Sequence, residues 1–259
     1  MSSDAQSPDA RPEEPSATSS SRPGPPLGKH ATLLDRLGAD LVGGSLPSGA
    51  VLSIEQLERR YGVSRSIVRE ALKVLESMGV TESRRRVGVT VRPEADWDAL
   101  NPLIVRWRLA GPGRAQELQA LSELRRGIEP VAAGLAATRA DSEAQDALAA
   151  AAAAMSTTGR RGDLETYLRH DALFHRTLLT ASGNPMLARF GGLVEEVLAG
   201  RTHHHLMPDE PNPDAIRWHR EVAEAIADRD AAAAEHAMRQ IVDEAQGAMA
   251  DQFSAPEGS

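Results

Sequence analysis

Asp171 and His175 stand one helical turn apart in a segment where Leu164, Leu168, Leu178 and Leu179 mark one apolar face, and both fall in the middle of that face. An aspartate and a histidine at i and i+4 aim one oxygen and one nitrogen at a common point, which suits a divalent metal. Other ionisable residues occupy similar positions. His219 shares a face with Ala215, Val222, Ala223 and Ile226, and Arg125 lies with Leu118, Leu121, Ile128 and Ala132, with Glu129 one turn beyond. Arg201 and His205 extend the face made by Phe190, Val194 and Leu198. Charged groups at such positions are costly to bury unless they are paired or bound to something. Taken singly, each reads as a satisfied core histidine or an internal ion pair. Taken together, Asp171, His175, His219, Arg125 and Arg201 come from four helices, and that convergence reads as a pocket for an anion, with or without a metal. Within the run His203-His204-His205 only His205 has the inward phase.

A second set of residues points to nucleic acid. From Ser64 onward, Val68, Ala71, Leu72, Leu75 and Met78 form an apolar stripe, while Arg65, Arg69 and Lys73 recur four apart on another side. A shorter helix precedes it, with Ser53 and Gln56 spaced as a capping box and Ile54, Leu57 and Tyr61 turned inward. Gly62 supplies the left-handed turn between the two, and Ser64 is placed to cap the second helix. The joint has the length of a helix-turn-helix. Two β-prone segments follow, with Arg84, Arg85 and Arg86 between them. Helix arginines can pair bidentately with guanine in the major groove, whereas arginines on a wing meet phosphates or the minor groove. Charge is distributed accordingly. Lys29 to Arg92 holds 11 Lys/Arg and 7 Asp/Glu, a net of +4 in a chain of −8, so the remainder carries −12. A basic module on an acidic body is what a local contact with nucleic acid requires.

The elements that position these residues are predominantly helical. Aromatics make up 3% of the 259 residues and alanine is abundant, which favours closely packed helices over a β-sandwich. Cysteine is absent, excluding disulfides and thiolate metal sites. No long apolar run or signal-peptide pattern occurs, so a soluble, cytoplasmic protein is expected. Residues 1–28, rich in Ser, Pro and acids, read as a disordered tail, and 253–259 as another. A winged helix-turn-helix is expected over 29–93 and an apolar helical linker over 94–113. An all-α antiparallel bundle is expected over 114–252, with helices at 114–139 (kinked by Pro130), 141–156, 162–181, 184–206, 213–228 and 231–250.

At this point the chain resembles the GntR superfamily, in its FadR-like branch with an all-helical FCD effector domain. The resemblance rests on GVSRSIVREALKVLESMGV followed by RRRVGVTV, and on LSELRRGIEPVAAGLAA, DALFHRTLLTASGN and HREVAEAIADRDAAAAEHAMRQI. It implies a homodimeric repressor or activator, here read as a repressor, that binds double-stranded DNA at a palindromic operator and releases it when a small carboxylate enters the bundle. Carried over, the DNA contacts are Arg65 and Arg69, with Ser64, Ser66, Lys73 and the wing arginines Arg84, Arg85 and Arg86 helping. Glu55 stands where some members carry a basic residue, so no operator sequence transfers. Metal-binding FCD domains use one Asp and three His. Asp171, His175 and His219 match three of these, but the fourth position is Ile241, and His236 is out of phase. The metal site is therefore either three-coordinate from protein, with one divalent metal (zinc, nickel or manganese, undistinguished) completed by ligand or water, or absent. WDALNPLIVRWRL and the missing histidine resemble sugar-acid-responsive members of the galactonate or gluconate type. Arg125, Arg201, His205 and the metal triad would then bind the effector, with Trp218 covering one side. Two other readings compete: a metal-dependent hydrolase on Asp171, His175 and His219, and a DNA-binding protein whose second domain only dimerises.

Overall fold

The computed structural model describes residues 29–203 and 211–254. The expected tail 1–28, His205 and residues 255–259 lie outside them. Helix α1 (Lys29–Val42) buries Leu33, Leu34, Leu37 and Leu41, and strand β1 (Val51–Leu52) leads into α2 (Ile54–Tyr61) and α3 (Arg65–Ser77). Gly62 sits between the last two at φ 67°, ψ 35°, a left-handed conformation that a side chain would disfavour. Its N–H donates to the Glu58 carbonyl at 2.9 Å and closes the first helix. The expected capping box is absent. Ser53 and Ser64 occupy the cap positions, yet neither side chain bonds the helix terminus, and the Ser64 hydroxyl lies 3.0 Å from that of Ser66 instead. Val68, Ala71, Leu72 and Leu75 of α3 are buried against the sheet and α1, each large side chain worth about 1.5–3 kcal/mol of burial. Strands β2 (Thr81–Arg84) and β3 (Gly88–Val91) form the wing, with Thr81 opposite Val91 and Arg84 opposite Gly88. All pairings are antiparallel in the order β1-β3-β2.

The linker folds as α4 (Pro102–Ala110), started by Asn101, whose side-chain oxygen accepts the Leu103 N–H at 3.0 Å, and by Pro102 in the first turn. Its two sides bury in different cores. Ile104 and Trp107 join the core of the DNA module, whereas Val105 and Leu109 form a separate cluster with Leu118, Leu121, Leu193 and Val197 of the helical bundle. Leu100, just before the helix, is 53% exposed. Trp107 lies flat over Gly38, so close that a Cβ there would collide with the indole ring, and its Nε1–H donates to Asp35 Oδ1 at 3.2 Å.

The bundle comprises α5 (Arg114–Arg139), α6 (Ser142–Gly159), α7 (Leu164–Ala181), α8 (Pro185–Ala188), α9 (Gly191–His203), α10 (Pro213–Ala227) and α11 (Ala231–Ser254). Helix α5 is unbroken through Pro130, and α11 continues to Ser254, past the expected end and into the segment expected as a tail. The single helix expected over 184–206 is two. The chain breaks after one turn at Arg189-Phe190, and Gly191 restarts it against α7, where a Cβ would meet Arg176 Cγ at 3.3 Å. Small residues set the spacing of the core: Ala132, Ala133, Ala136 and Ala137 of α5, Ala151 and Ala152 of α6, and Ala234 and Ala237 of α11 are all buried. Helix α9 also meets the linker closely, since a Cβ on Gly200 would lie 2.8 Å from Leu109 Cδ1. Arg106 of α4 bridges the two bodies, bonding Glu196 of α9 at 2.5 and 2.9 Å and standing 4.0 Å from Asp35 of α1.

The Trp107 notch yields a first prediction. Gly38→Ala displaces the indole from its seat and lowers stability by about 1–3 kcal/mol, the usual penalty of overpacking. Denaturant melts of the two proteins measure it, and an unchanged midpoint would mean that the notch is not closely packed.

Candidate functional site

The inward polar residues meet in one cavity inside the bundle. Its lining includes Arg125 of α5, Tyr167, Asp171 and His175 of α7, Arg201 of α9, His219 of α10, and Ile241 and Glu244 of α11. Helical periodicity brings them there: each shares a stripe with buried leucines or alanines, so burying the stripe carries the polar residue inward. Arg125, Glu129, Asp171, His175, Arg201 and His219 are all buried.

Three atoms converge. Asp171 Oδ1 lies 3.2 Å from His175 Nε2 and 3.2 Å from His219 Nε2, and the two nitrogens are 3.4 Å apart. Neither contact of the oxygen is aligned as a hydrogen bond. The other nitrogen of each ring explains the orientation. His219 Nδ1 is 2.7 Å from the Ala215 carbonyl, which only accepts, so the proton is on Nδ1 and the Nε2 lone pair faces the triad. His175 Nδ1 stands 2.8 Å from Glu129 Oε2, a contact that is not aligned as a hydrogen bond but whose negative charge favours a proton on Nδ1. With His175 neutral, two imidazole lone pairs and a carboxylate oxygen point at one another, and a proton on His175 Nε2 or a metal cation among them removes the repulsion. The edges of the triangle match the roughly 3.3 Å separation that bonds of about 2.0–2.1 Å at tetrahedral angles require. The donor set fits a divalent metal.

Charge states follow the same geometry. Burial pushes the Glu129 carboxyl up, but the Arg125 guanidinium and the His175 imidazole outweigh it and hold it at about 2. Burial pushes Asp171 up, and the two imidazoles pull it well below the usual carboxylate range. Burial lowers His175, but the Glu129 and Asp171 carboxylates raise it to about 9. Arg201 is pushed down, first by burial and then by the charge of Arg125.

The arginines differ in availability. Arg125 is held by Glu129 through Nε at 2.7 Å and Nη2 at 3.3 Å. Arg201 is 7% exposed, and its Nε has no partner. Trp218 does not line the cavity. Neighbouring positions on a helix point about a third of a turn apart, and Trp218 lies half-buried on the bundle with the Arg217 guanidinium 5.4 Å from its ring centroid. Ile241 is buried in the cavity wall. Sequence reasoning gave no role to Glu129, Tyr167 or Glu244. The spacing of Glu129 four after Arg125 and of Glu244 three after the inward Ile241 was the available signal. Glu244 accepts a hydrogen bond from the Asn212 amide at 3.0 Å. The cavity measures about 30 Å³, the volume of roughly one water.

On the DNA module, Ser64, Arg65, Ser66, Arg69 and Lys73 are exposed along the outer side of α3. Lys73 is paired with Glu70 at 2.8 Å, and Arg84 of the wing with Glu82 at 2.5 Å. Arg85 and Arg86 project at the wing tip, with Arg86 at φ 68°, and Val87 beside them is 53% exposed.

Residues 29–91 match the bacterial regulatory proteins of the gntR family, and residues 120–244 match the FCD domain. The HTH-type transcriptional regulator LutR of Bacillus subtilis is 31% identical over 156 residues, covering 59% of this chain and 67% of LutR. The chain belongs to the GntR family. This GntR protein is a DNA-binding transcriptional regulator with a C-terminal FCD effector domain, and not an enzyme. The galactonate operon transcriptional repressor of Escherichia coli is 28% identical over 213 residues, 82% of this chain and 92% of that one. Among solved structures, Lar of Listeria monocytogenes shares the fold at a TM-score of 0.55 and 19% identity, covering 86% of this chain and 96% of Lar. Among the described residues no helix is long and apolar enough to cross a membrane.

Glu129 carries a second prediction for this regulator. Removing it as Glu129→Ala leaves Arg125 buried without its carboxylate and frees the His175 ring, at a cost of about 3–5 kcal/mol. Chemical denaturation measures the loss; a change below about 1 kcal/mol, the size of a surface pair, would show that the network is not buried.

Proposed function

We propose that this regulator is a homodimeric repressor, working in the cytoplasm, that releases a palindromic operator when a small carboxylate enters the FCD cavity. Residues 29–93 form the DNA-reading unit, 94–113 the linker, and 114–252 the sensing and dimerising unit. Arg65 and Arg69 meet base edges in the major groove, Ser64, Ser66 and Lys73 hold the backbone, and Arg84, Arg85 and Arg86 bring the wing to phosphates or the minor groove.

The observation that carries the effector reading is Arg201, a buried guanidinium whose Nε meets no acceptor in a cavity that already contains an acid and two imidazoles. A buried charge of this kind is costly unless an anion completes it. A carboxylate is the natural complement, since its two oxygens match the planar donors of arginine. Hydroxyls on the same ligand would find Asp171, His175 and His219. A hydroxylated acid of the galactonate or gluconate class is therefore the proposed effector, in keeping with the galactonate repressor among the relatives. Asp171, His175 and His219 would hold one divalent metal (zinc, nickel or manganese), which when bound supplies a Lewis-acidic partner for a ligand oxygen. Arg125, already paired, serves this site chiefly by holding Glu129. A sugar acid exceeds the cavity volume of about 30 Å³, so binding widens the site. Helix α9 then carries the displacement, because it bears Arg201 on the cavity and Leu193, Val197 and Gly200 on the linker α4.

Both halves of the reading are testable by gel shift on the regulator's own promoter. Arg69→Ala abolishes specific binding with the fold intact; unchanged operator affinity would contradict the proposed docking. Arg201→Met binds the operator as wild type does but no longer lets go when D-galactonate or D-gluconate is added. Release at wild-type concentrations of acid would contradict the role given to Arg201.

A further inference from the structure

We infer that Arg106 is a positioning residue for operator binding: by gripping Glu196 it fixes the angle at which each subunit presents its reading helix, so that two half-sites are met at once. This rests on the reading of a dimer on a palindrome given above, and adds to it the side chains that hold each DNA module in register with its bundle.

The linker helix carries the tripeptide Arg106-Trp107-Arg108. Residues two apart on a helix point about 200° apart, so the two arginines leave α4 on opposite flanks. Arg106 donates through Nε at 2.9 Å and Nη2 at 2.5 Å to the two carboxylate oxygens of Glu196 on α9, and its Nη1 stands 4.0 Å from Asp35 of α1. Arg108 stands 3.6 Å from Glu117 of α5 and donates to the Glu94 carbonyl at 3.4 Å. Its guanidinium lies 5.9 Å from the ring centroid of Trp97, which belongs to the core of the DNA module. Each arginine therefore touches one element of the bundle and one on the side of the DNA module. Between them Trp107 is held by its seat on Gly38 and its bond to Asp35.

Of these contacts the Arg106–Glu196 pair has two parallel N–H···O bonds, a geometry that fixes direction as well as distance. Helix α4 cannot turn against α9 without breaking it. The setting of α4 passes to α1 through Trp107 and Asp35, and α1 packs Leu33 and Leu37 in the same core as Val68 and Leu72 of α3. The direction in which Arg65 and Arg69 face, relative to the bundle, is thereby set. A single half-site does not feel this constraint, because one module can dock at any angle to its bundle. Two half-sites at a fixed spacing do feel it, since a loose joint lowers the effective concentration of the second module at its half-site.

The test measures fluorescence anisotropy of the full-length chain at one salt concentration on two duplexes. One carries the footprint from the regulator's own promoter, and the other is the same duplex with one arm scrambled. Arg106→Gln and Glu196→Gln are each expected to weaken binding to the intact duplex by about fivefold, the upper end for an ion pair partly open to water. Affinity for the one-armed duplex is expected to stay at the wild-type value, which a general loss of folding would not allow. The two substitutions together are expected to cost little more than either alone, because both remove the same pair. Arg106→Lys, which keeps the charge without the paired bonds, is expected to fall between wild type and Arg106→Gln. Equal losses on the two duplexes overturn the inference, as does wild-type affinity for the intact duplex in both glutamine variants. In either case a wild-type preference for the intact duplex leaves the palindrome reading standing. If wild type itself binds both duplexes equally, the palindrome reading falls and the role of Arg106 falls with it.

Discussion

A buried guanidinium whose Nε meets no acceptor is the constraint around which the sensing half of this protein is arranged. Burying an ion costs several kcal/mol even after relaxation, and close geometry with a counter-ion is what offsets it. Arg125 meets that requirement through Glu129, which in turn anchors the His175 ring. Arg201 does not meet it. A fold with a stability of the ordinary size, about 5–15 kcal/mol, gives up an appreciable fraction of it to keep such a group buried. Asp171, His175 and His219, with a carboxylate oxygen and two ring nitrogens within 3.4 Å of one another, carry a complementary cost whenever both rings are neutral. Both costs lie in one cavity: an anion relieves the first and a cation or proton the second.

The proposed route from a guest in that cavity to the DNA runs through the placement of two helices. Helix α9 has Arg201 on its cavity side and Leu193 and Val197 on the side facing α4. Helix α4 in turn buries Val105 and Leu109 against the bundle and Ile104 and Trp107 in the DNA module. Glycines thin both joints, with Gly200 under Leu109 and Gly38 under Trp107, so neither joint has slack to absorb a shift of its neighbour. Interfaces packed in this way move as units, which is how a small displacement at a ligand reaches a distant surface.

Much of this was legible in the sequence because it depends on local periodicity. The stripe from Val68 to Leu75 dictates which side of α3 is buried, and Arg65 and Arg69 follow on the outside by helical geometry alone. Gly62 was readable for the same reason, since a left-handed turn is a property of one residue. The triad was readable because Asp171 and His175 interrupt an apolar face at one-turn spacing. What was not legible depends on neighbours distant in the chain. Whether Arg125 is free or taken depends on which rotamer lets it reach Glu129 while Glu129 also reaches His175 on another helix. Trp218 misled because adjacency along the chain is not adjacency in space on a helix. The break before Gly191 was signalled only by a glycine pair in an otherwise continuous apolar pattern, and the helix restarts where Gly191 lies close to Arg176 of α7. The serine caps looked right by composition, and their side chains bond elsewhere or not at all.

The central claim is that the Arg201 cavity is an anion seat, and the most direct measurement is a crystal structure of the full-length chain grown with D-gluconate and nickel(II). The account predicts a widened cavity with a carboxylate oxygen within about 3 Å of Arg201 Nε and the other end of the acid on the side of Asp171, His175 and His219. An Arg201 side chain swung out to bulk water, with no acid in the cavity and the triad unchanged, would contradict it.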